Sequence, residues 1–163
     1  MAMNNTQRGF SLLIAVIFAS VMLTFGLQLA SLGYKQQTLS TSSLRSQYAF
    51  YAADAGLECA LTADQQQDLF AYPISAPSSA PATKCDNASA LASSFSYDAT
   101  RLLVSYRFNL DSSTHCADVV VYKPNPLSGA KTYIYSQGYD VSCAVVANPG
   151  GKRFAYRGIK ASY

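Results

Sequence analysis

The stretch Phe10 to Leu32, FSLLIAVIFASVMLTFGLQLASL, decides the fold of the N-terminal part of the chain. Seventeen of its 23 residues are Ala, Val, Ile, Leu, Met or Phe, and no charged residue occurs between Arg8 and Lys35. A helix needs about 20 such residues to cross the hydrocarbon core of a bilayer. A cleaved secretory signal has a shorter apolar stretch, about 7–15 residues, and ends in a small-residue cleavage site. Because no such site follows here, the sequence favours a retained membrane helix.

The overall composition argues against enzyme chemistry. Only 13% of the 163 residues are charged, and the net charge is +3. The chain has one histidine, His115, and one glutamate, Glu58, so a general acid–base site is difficult to assemble. No phosphate-binding loop, dinucleotide-binding glycine motif or nucleophile elbow occurs in the sequence. We therefore expect no enzyme activity, no catalytic residue, no cofactor, no metal site and no small-molecule substrate.

The N-terminal helix is expected to continue well beyond the membrane segment, because the first proline is Pro73. Residues 34–68 are predicted to form its amphipathic half, with apolar residues at three- and four-residue spacing. This apolar stripe consists of Leu44, Tyr48, Tyr51, Ala55 and Cys59. We expect the stripe to cover the apolar face of a sheet that forms later in the chain.

The C-terminal part of the sequence predicts that sheet. Residues 69–99 are rich in Pro, Ser and Ala and are interpreted as a loop. Apolar and polar residues then alternate over 102–110, which predicts a half-buried strand, and further strands are predicted at 117–122, 131–139 and 154–163. Consecutive strands with short connections favour an antiparallel arrangement. The predicted fold class is α+β: a long N-terminal helix, membrane-spanning in its first half, packed on an antiparallel sheet of about four strands within residues 100–163.

The four cysteines all follow the membrane segment. Their even number and the lack of C-x-x-C spacing favour disulfides over a zinc or redox site, with four buried free thiols as the alternative. Among the three possible pairings we favour Cys59–Cys85, from the helix to the following loop, and Cys116–Cys143, which flank neighbouring strands. Each would close a loop of about 27 residues and stabilise the fold by about 3.5 kcal/mol. Paired disulfides would place the C-terminal part outside the cytoplasm.

The sequence QRGFSLL at residues 7–13 resembles the prepilin signature of type IV pilins and type II secretion pseudopilins. In that family a short basic leader ends in Gly, a dedicated peptidase cuts on the cytoplasmic side before a Phe, and the new amino terminus is methylated. The resemblance implies a leader at residues 1–9, cleavage between Gly9 and Phe10, and N-methylation of Phe10. The run AFYAADAGLECAL at 49–61 is also similar to the A-F-x-A-E-A-G-L stretch of PilX-type minor pilins, with Asp54 at the usual Glu position.

The fifth residue of the mature chain departs from the family pattern. Most pilins carry a Glu there, which neutralises the amino terminus of a neighbouring subunit inside the fibre, whereas this chain has Ile14. Because tip-type pseudopilins lack that Glu, the departure favours a minor, tip or priming subunit; a fibre built without the carboxylate is the alternative. The resemblance places the assembly segment at residues 10–33. The residues implied in its assembly core are Leu12, Leu13, Ile14, Ile17, Phe18 and Gly26.

The resemblance implies a structural function. The chain would assemble through its N-terminal helix with other pilin subunits, after processing by the prepilin peptidase, with the help of pilus assembly machinery. It would lie in the inner membrane as a single-pass protein with an extracytoplasmic C-terminus, and then in an extracellular filament. Its head would serve adhesion, motility or DNA uptake by contact with a surface or DNA ligand. A single-pass anchored extracytoplasmic binding domain that never polymerises is the alternative.

Two pairs of carboxylates could each bind a cation or could simply be solvated groups on the surface. Asp54 and Glu58 are four residues apart on one helix face, and Asp111 and Asp118 flank the loop that contains His115. No calcium-loop spacing occurs in the chain. Both pairs are therefore interpreted as solvated surface groups, and His115 as a surface residue.

Tyrosine is unusually abundant in the C-terminal part. Tyr133 and Tyr135 share one strand face, which Tyr139 and Tyr156 can join, and several lysines and arginines occur in the same region. Aromatic rings among cations can stack on single-stranded nucleic acid. They can also contact other subunits, or simply fill the core and rim of the sheet.

Overall fold

The computed structural model of the chain describes residues 6–72 and 79–163. Part of the expected leader, residues 1–5, and part of the expected loop, residues 73–78, lie outside the described ranges. The chain divides into two units, with the boundary inside the first helix between Thr41 and Ser42.

The α+β fold class is confirmed: one long helix precedes an antiparallel sheet, and residues 49–63 of the helix pack on that sheet. The helix α1 extends from Thr6 to Gln65. A small hairpin pairs β1 (Lys84–Cys85) with β2 (Ala88–Ser89). The main sheet has the order β3-β4-β5-β6-β7, with every neighbouring pair antiparallel. Its strands are β3 (Leu91–Tyr97), β4 (Arg101–Leu110), β5 (His115–Pro124), β6 (Tyr133–Tyr139) and β7 (Tyr156–Ser162).

The main sheet therefore has five strands instead of about four, because residues 69–99 are not all loop. Strand β3 lies inside that range, as does the β1–β2 hairpin. Its sequence, LASSFSY, has little apolar alternation, and its pairing with β4 is interrupted by a register shift between Ala92 and Ser94. An edge strand pairs on one side only, so it needs a weaker apolar pattern than a central strand. A 3₁₀ turn (Pro126–Ser128) and the short helix α2 (Cys143–Ala147) are also absent from the sequence-based expectation.

The helix face that packs most closely on the sheet is made mainly of small residues. The expected stripe of larger residues is wrong at Leu44, Tyr48, Tyr51 and Ala55, whereas Cys59 does pack against the core. Leu44, Tyr48 and Tyr51 are all more than half exposed. The residues of α1 that are buried instead are the small residues Ala49, Ala52, Ala53, Gly56, Ala60 and Ala63, together with Asp64 near the end of the helix. The helix thus presents its least bulky side to the sheet.

Two glycines explain why small residues occupy this interface. A methyl group at Gly138, in strand β6, would lie 2.1 Å from the backbone nitrogen of Ala53 and 2.3 Å from the carbonyl oxygen of Ala49. A methyl group at Gly56 would lie 2.8 Å from the Ser136 hydroxyl and 2.9 Å from Cβ of Ala117. Glycine inside a strand often marks such a close approach of two backbones. Large side chains on this helix face would hold the helix away from the sheet.

The larger core cluster lies on the face of the sheet that α1 covers, and a smaller cluster of Cys116, Tyr139 and Cys143 lies on the opposite face. Alternate residues of β4 point inward, and Tyr106 among them is 1% exposed. Its hydroxyl donates a hydrogen bond of 2.6 Å to the carbonyl of Pro81, and burial raises its pKa. The disulfides Cys59–Cys85 and Cys116–Cys143 are both present, which is the pairing that the sequence favours. The first joins α1 to the β1–β2 hairpin, and the second joins β5 to α2.

A buried ion pair fastens the end of α1 to the sheet. The side chain of Asp64 is 1% exposed, and its two carboxylate oxygens accept hydrogen bonds of 2.8 and 2.7 Å from Nζ of Lys123, in β5. The hydroxyl of Tyr163 donates to the same carboxylate. Burial, followed by this hydrogen bond, raises the pKa of the Tyr163 hydroxyl. Helix α1, strand β5 and the residue after β7 therefore meet at one charged cluster.

Candidate functional site

The apolar segment of α1 is uncovered in the unit up to Thr41. The exposed fractions of the expected assembly-core side chains range from 39% at Ile14 to 69% at Leu12. The most apolar window of α1 has a mean hydropathy of 2.4, and none of that window is buried. By its length and composition α1 is compatible with a single membrane span. Apolar surface of this extent marks a membrane or interaction site.

The segment is apolar around its whole circumference. Leu12, Leu13 and Ile14 are consecutive, as are Val16, Ile17 and Phe18, and all six are exposed. Because a helix has 3.6 residues per turn, three consecutive residues cover most of the circumference. A helix that is apolar all round is buried in lipid or among other helices. This segment therefore lacks the polar face with which a helix lies on the surface of a soluble domain.

Hydroxyl side chains within the segment are satisfied by the helix itself. The hydroxyls of Ser20, Thr24 and Ser31 each donate to the carbonyl three residues earlier, at 2.7–2.8 Å. Polar groups in hydrocarbon need such internal partners because no water is available there. These three residues are therefore compatible with an apolar environment.

The expected processing and packing positions all lie on α1. Gly9 and Phe10 fall within its range, Thr6–Gln65. A methyl group at Gly26 or at Gly33 would meet no atom within 4 Å. Neither glycine is therefore required by a contact among the described residues, and a second helix could approach closely at either position.

A second candidate site lies in the other unit, on the face of the main sheet opposite α1. Tyr133 and Tyr135 of β6 project from this face with exposed fractions of 37% and 42%, and Tyr156 of β7 is 61% exposed. Tyr139 shares the face in the register of the strands but is 8% exposed, because the Cys116–Cys143 region and Phe154 cover it. Nζ of Lys160 lies 4.1 Å from the ring centroid of Tyr133. We call Tyr133, Tyr135, Tyr156 and Lys160 the tyrosine face.

A hydrogen-bonded network borders the tyrosine face. The guanidinium of Arg107 donates two hydrogen bonds of 2.7 Å to the carboxylate of Asp118, and these bonds raise the pKa of the guanidinium. The Tyr139 hydroxyl donates to Asp118 at 3.2 Å and accepts from Gln137 at 3.0 Å. Burial, and then the negative charge of Asp118, raise the pKa of Tyr139 to about 12. At neutral pH the network therefore holds one balanced ion pair and a neutral phenol.

Four residues of the expected stripe, Tyr48, Tyr51, Ala55 and Cys59, line a groove. Tyr48 stacks on the ring of His115 with centroids 5.4 Å apart, and Tyr51 lies beside it. The groove has a cavity volume of about 660 Å³ and runs between α1, the β1–β2 hairpin and the loop before β5. Glu58, Lys84 and Asp111 also line it.

The structure does not assemble a metal site from the candidate carboxylates. The carboxylate of Asp118 forms an ion pair with Arg107, while Oδ2 of Asp111 lies 3.4 Å from Nδ1 of His115. Asp54 is half-buried and Glu58 is exposed on the groove. Within residues 6–72 and 79–163, no three His, Cys, Asp or Glu side chains are grouped closely enough to hold a metal ion.

No protein-family model, curated protein or solved structure matches this chain.

Proposed function

We propose that this chain is a structural subunit of a type IV pilus or a related filament, and that residues 10–33 are its assembly segment. The observation that carries the proposal is the segment's exposure, since every large apolar side chain in it lacks cover from the chain itself. Burying one such side chain is worth about 1.5–3 kcal/mol. The segment therefore requires an apolar environment supplied from outside the chain.

Lipid and a bundle of like helices provide that environment equally well. Because the segment is apolar all round, it can move from a bilayer to the core of a filament with little change in buried apolar surface. The self-satisfied hydroxyls of Ser20, Thr24 and Ser31 suit both states. In this proposal the two disulfides reflect an extracytoplasmic head, since disulfides persist in oxidising compartments.

Ile14 favours a minor, tip or priming subunit within this proposal. In the pilin family, which the N-terminal residues resemble, a carboxylate at this position meets the amino terminus of the preceding subunit. A first-placed subunit has no preceding amino terminus to neutralise, so an aliphatic residue is acceptable there. The exposed part of the head would then provide adhesion, motility or DNA capture.

The alternative is a membrane-anchored binding domain that does not polymerise, which the same exposed helix also supports. Intact-mass analysis of the protein from its native membranes separates the two. A filament subunit is expected to begin at a methylated Phe10, whereas an anchored domain keeps residues 1–9. Gly9→Leu should block maturation, and Gly33→Leu, the same change elsewhere on α1, should leave it intact.

A cross-linking experiment tests assembly directly. A photoreactive amino acid at Phe18 should give products that contain a second subunit from sheared surface filaments. The same group at Leu127, which is 94% exposed on the 3₁₀ turn, is the control that should not report helix packing. A mature chain that retains its first nine residues, or monomers alone at Phe18, would contradict the proposal.

A further inference from the structure

We propose that the tyrosine face binds single-stranded nucleic acid, with bases stacked on tyrosine rings and phosphates held by the surrounding cations. This inference concerns the sheet in the unit from Ser42 onward. It builds on the DNA capture proposed above for the head, but its test is separate from that of the filament, because none of the residues that carry it belongs to the assembly segment.

The spacing of the rings suits successive bases. Tyr133 and Tyr135 are two residues apart on β6, so their Cα atoms are separated by about 7 Å along one face of the strand. Tyr156 lies on the neighbouring strand, directly opposite Tyr139. Three partly exposed rings are therefore distributed along two paired strands.

Gly158 allows Tyr135 to lie against the sheet. A methyl group at Gly158 would be 2.4 Å from the hydroxyl oxygen of Tyr135 and 3.0 Å from Cζ. The ring therefore rests over the backbone of β7 where a side chain would otherwise stand. A ring that rests on a sheet in this way presents a face to solvent, and a face is the surface on which a base stacks.

The charges around the tyrosine face favour a polyanion. Asp118 and Asp140, the carboxylates closest to it in the strand register, are already paired with Arg107 and Arg45. Among the described residues no carboxylate forms an ion pair with the exposed cations of this region. These cations are Lys160 on the tyrosine face, Lys131 before β6, Lys152 and Arg153 before β7, and Arg157, which lies on the α1 side of β7 and donates to the Ser46 hydroxyl. Lysines without such partners attract phosphate, whereas they give no advantage in binding a neutral polysaccharide.

This arrangement predicts binding with little base specificity. Every base has a face that can stack on a ring, so stacking tolerates any sequence. The phosphate contacts should make the affinity fall as salt is added, because bound counterions are released from the nucleic acid. Lys160 is best placed for such a contact, because its ammonium group lies over the ring of Tyr133. A base that stacks on this face of Tyr133 must displace the ammonium group, which can then meet a phosphate.

The test uses the full chain in micelles of a neutral detergent. The probe is a fluorescein-labelled oligothymidylate of about twelve nucleotides, within the length that a single small binding surface covers, and the readout is fluorescence anisotropy. We expect saturable binding that weakens with salt. Tyr135→Ala should lower the affinity at least about fivefold, the usual minimum for losing one stacked base.

Matched variants separate stacking from other effects. Tyr135→Phe keeps the ring and should keep the affinity, which also shows that the hydroxyl contact with Gln137 is not required. Tyr51→Ala is the control on α1, where Tyr51 is 64% exposed, close to the value for Tyr156, and it should change nothing. If Tyr135→Ala fails to fold by circular dichroism, Tyr156→Ala tests the same surface from β7. Lys160→Gln should lower the salt slope by about 0.7, the value for one phosphate contact on a single strand.

Three results would overturn the inference. The first is a lack of binding at low salt, and the second is an affinity that neither Tyr135→Ala nor Tyr156→Ala reduces. The third is binding that ignores salt and is displaced by a neutral polysaccharide, which would assign the face to carbohydrate. Failure of the filament proposal would show itself separately, in the mass of the mature chain.

Discussion

The two halves of α1 differ in which side chains they bury. Residues 10–34 carry large apolar side chains that are all exposed, whereas residues 49–63 bury alanines and a glycine and expose Tyr51. Apolar character alone therefore does not identify the packed face of this helix. The packed face is the one whose small size permits a backbone to approach, and the large apolar residues of 10–34 remain available for lipid or for other chains.

The largest effect is expected where the small-residue interface is closest. Gly138→Ala places a methyl group 2.1 Å from the nitrogen of Ala53, and backbone atoms in a helix cannot move aside as a side chain can. We expect a loss of more than about 4 kcal/mol of unfolding free energy, enough to disrupt the head. Chemical denaturation of the full chain in detergent, followed by near-ultraviolet circular dichroism, measures this loss.

Gly158→Ala is the matched control for Gly138. Its methyl group meets only the outer end of the Tyr135 side chain, which can rotate away. We expect a cost below about 1 kcal/mol, in the range of an ordinary surface change. Equal losses in the two variants would show that the close contact of α1 with β6 does not govern the stability of the head.

Breaking the Asp64–Lys123 pair should have the next largest effect. Asp64→Ala leaves the Lys123 ammonium largely buried without its carboxylate and removes the acceptor of the Tyr163 hydroxyl. Loss of one partner of a buried pair costs about 3–5 kcal/mol, and denaturation as above measures it. Arg101→Gln is the control, because it breaks an ion pair with Asp98 in which both side chains are about half exposed. It should cost at most about 1 kcal/mol of unfolding free energy. If Asp64→Ala and Arg101→Gln lowered the unfolding free energy by similar amounts, the Asp64 cluster would not fasten the end of α1.

The disulfides offer a test that compares the two units. They close separations of 26 and 27 residues, each worth about 3.5 kcal/mol in the chain-entropy model. Cys116→Ala combined with Cys143→Ala should therefore destabilise the head by about that amount. The apolar segment contains no cysteine, so its helical far-ultraviolet signal in detergent should persist after full reduction. A cooperative loss of both signals on reduction would contradict the expectation that the apolar segment stays helical without the disulfides.

The sequence was sufficient for the fold class, because strong patterns encode it. The uncharged stretch from Phe10 predicts a helix through its length, and the alternation in β4 predicts a half-buried strand through its period. Strand β3 lacks such a pattern, so the sequence alone predicts a loop there. The sequence does not predict the buried face of α1, because the deciding residue, Gly138, lies more than seventy residues away and reveals its role only once β6 lies beneath the helix.

The candidate sites were predictable to different degrees for the same reason. Tyr133 and Tyr135 fall on one face by strand periodicity alone. Lys160 lies beside these tyrosines because β6 and β7 pair in a register that sets Lys160 opposite Tyr135. The sequence does not specify that register. Asp64 and Lys123 are likewise brought together by the packing of α1 on β5. The one sequence signal for the close contact was a glycine within the strand YSQGY, a known marker of backbone approach.

The smallest expected effect is a gain in stability at Ser136. Its side chain is fully buried beneath α1, and its hydroxyl has no hydrogen-bond partner among the described residues. An unpartnered buried hydroxyl costs about 1–3 kcal/mol, and alanine removes it while filling nearly the same space. Ser136→Ala should therefore stabilise the head by about 1 kcal/mol in the same denaturation experiment. Ser136→Val should destabilise it, because the existing hydroxyl already lies 2.8 Å from where a methyl group at Gly56 would be. If alanine proves destabilising, the hydroxyl has a partner in solution, and the contact between α1 and β6 depends on more than the small size of its residues.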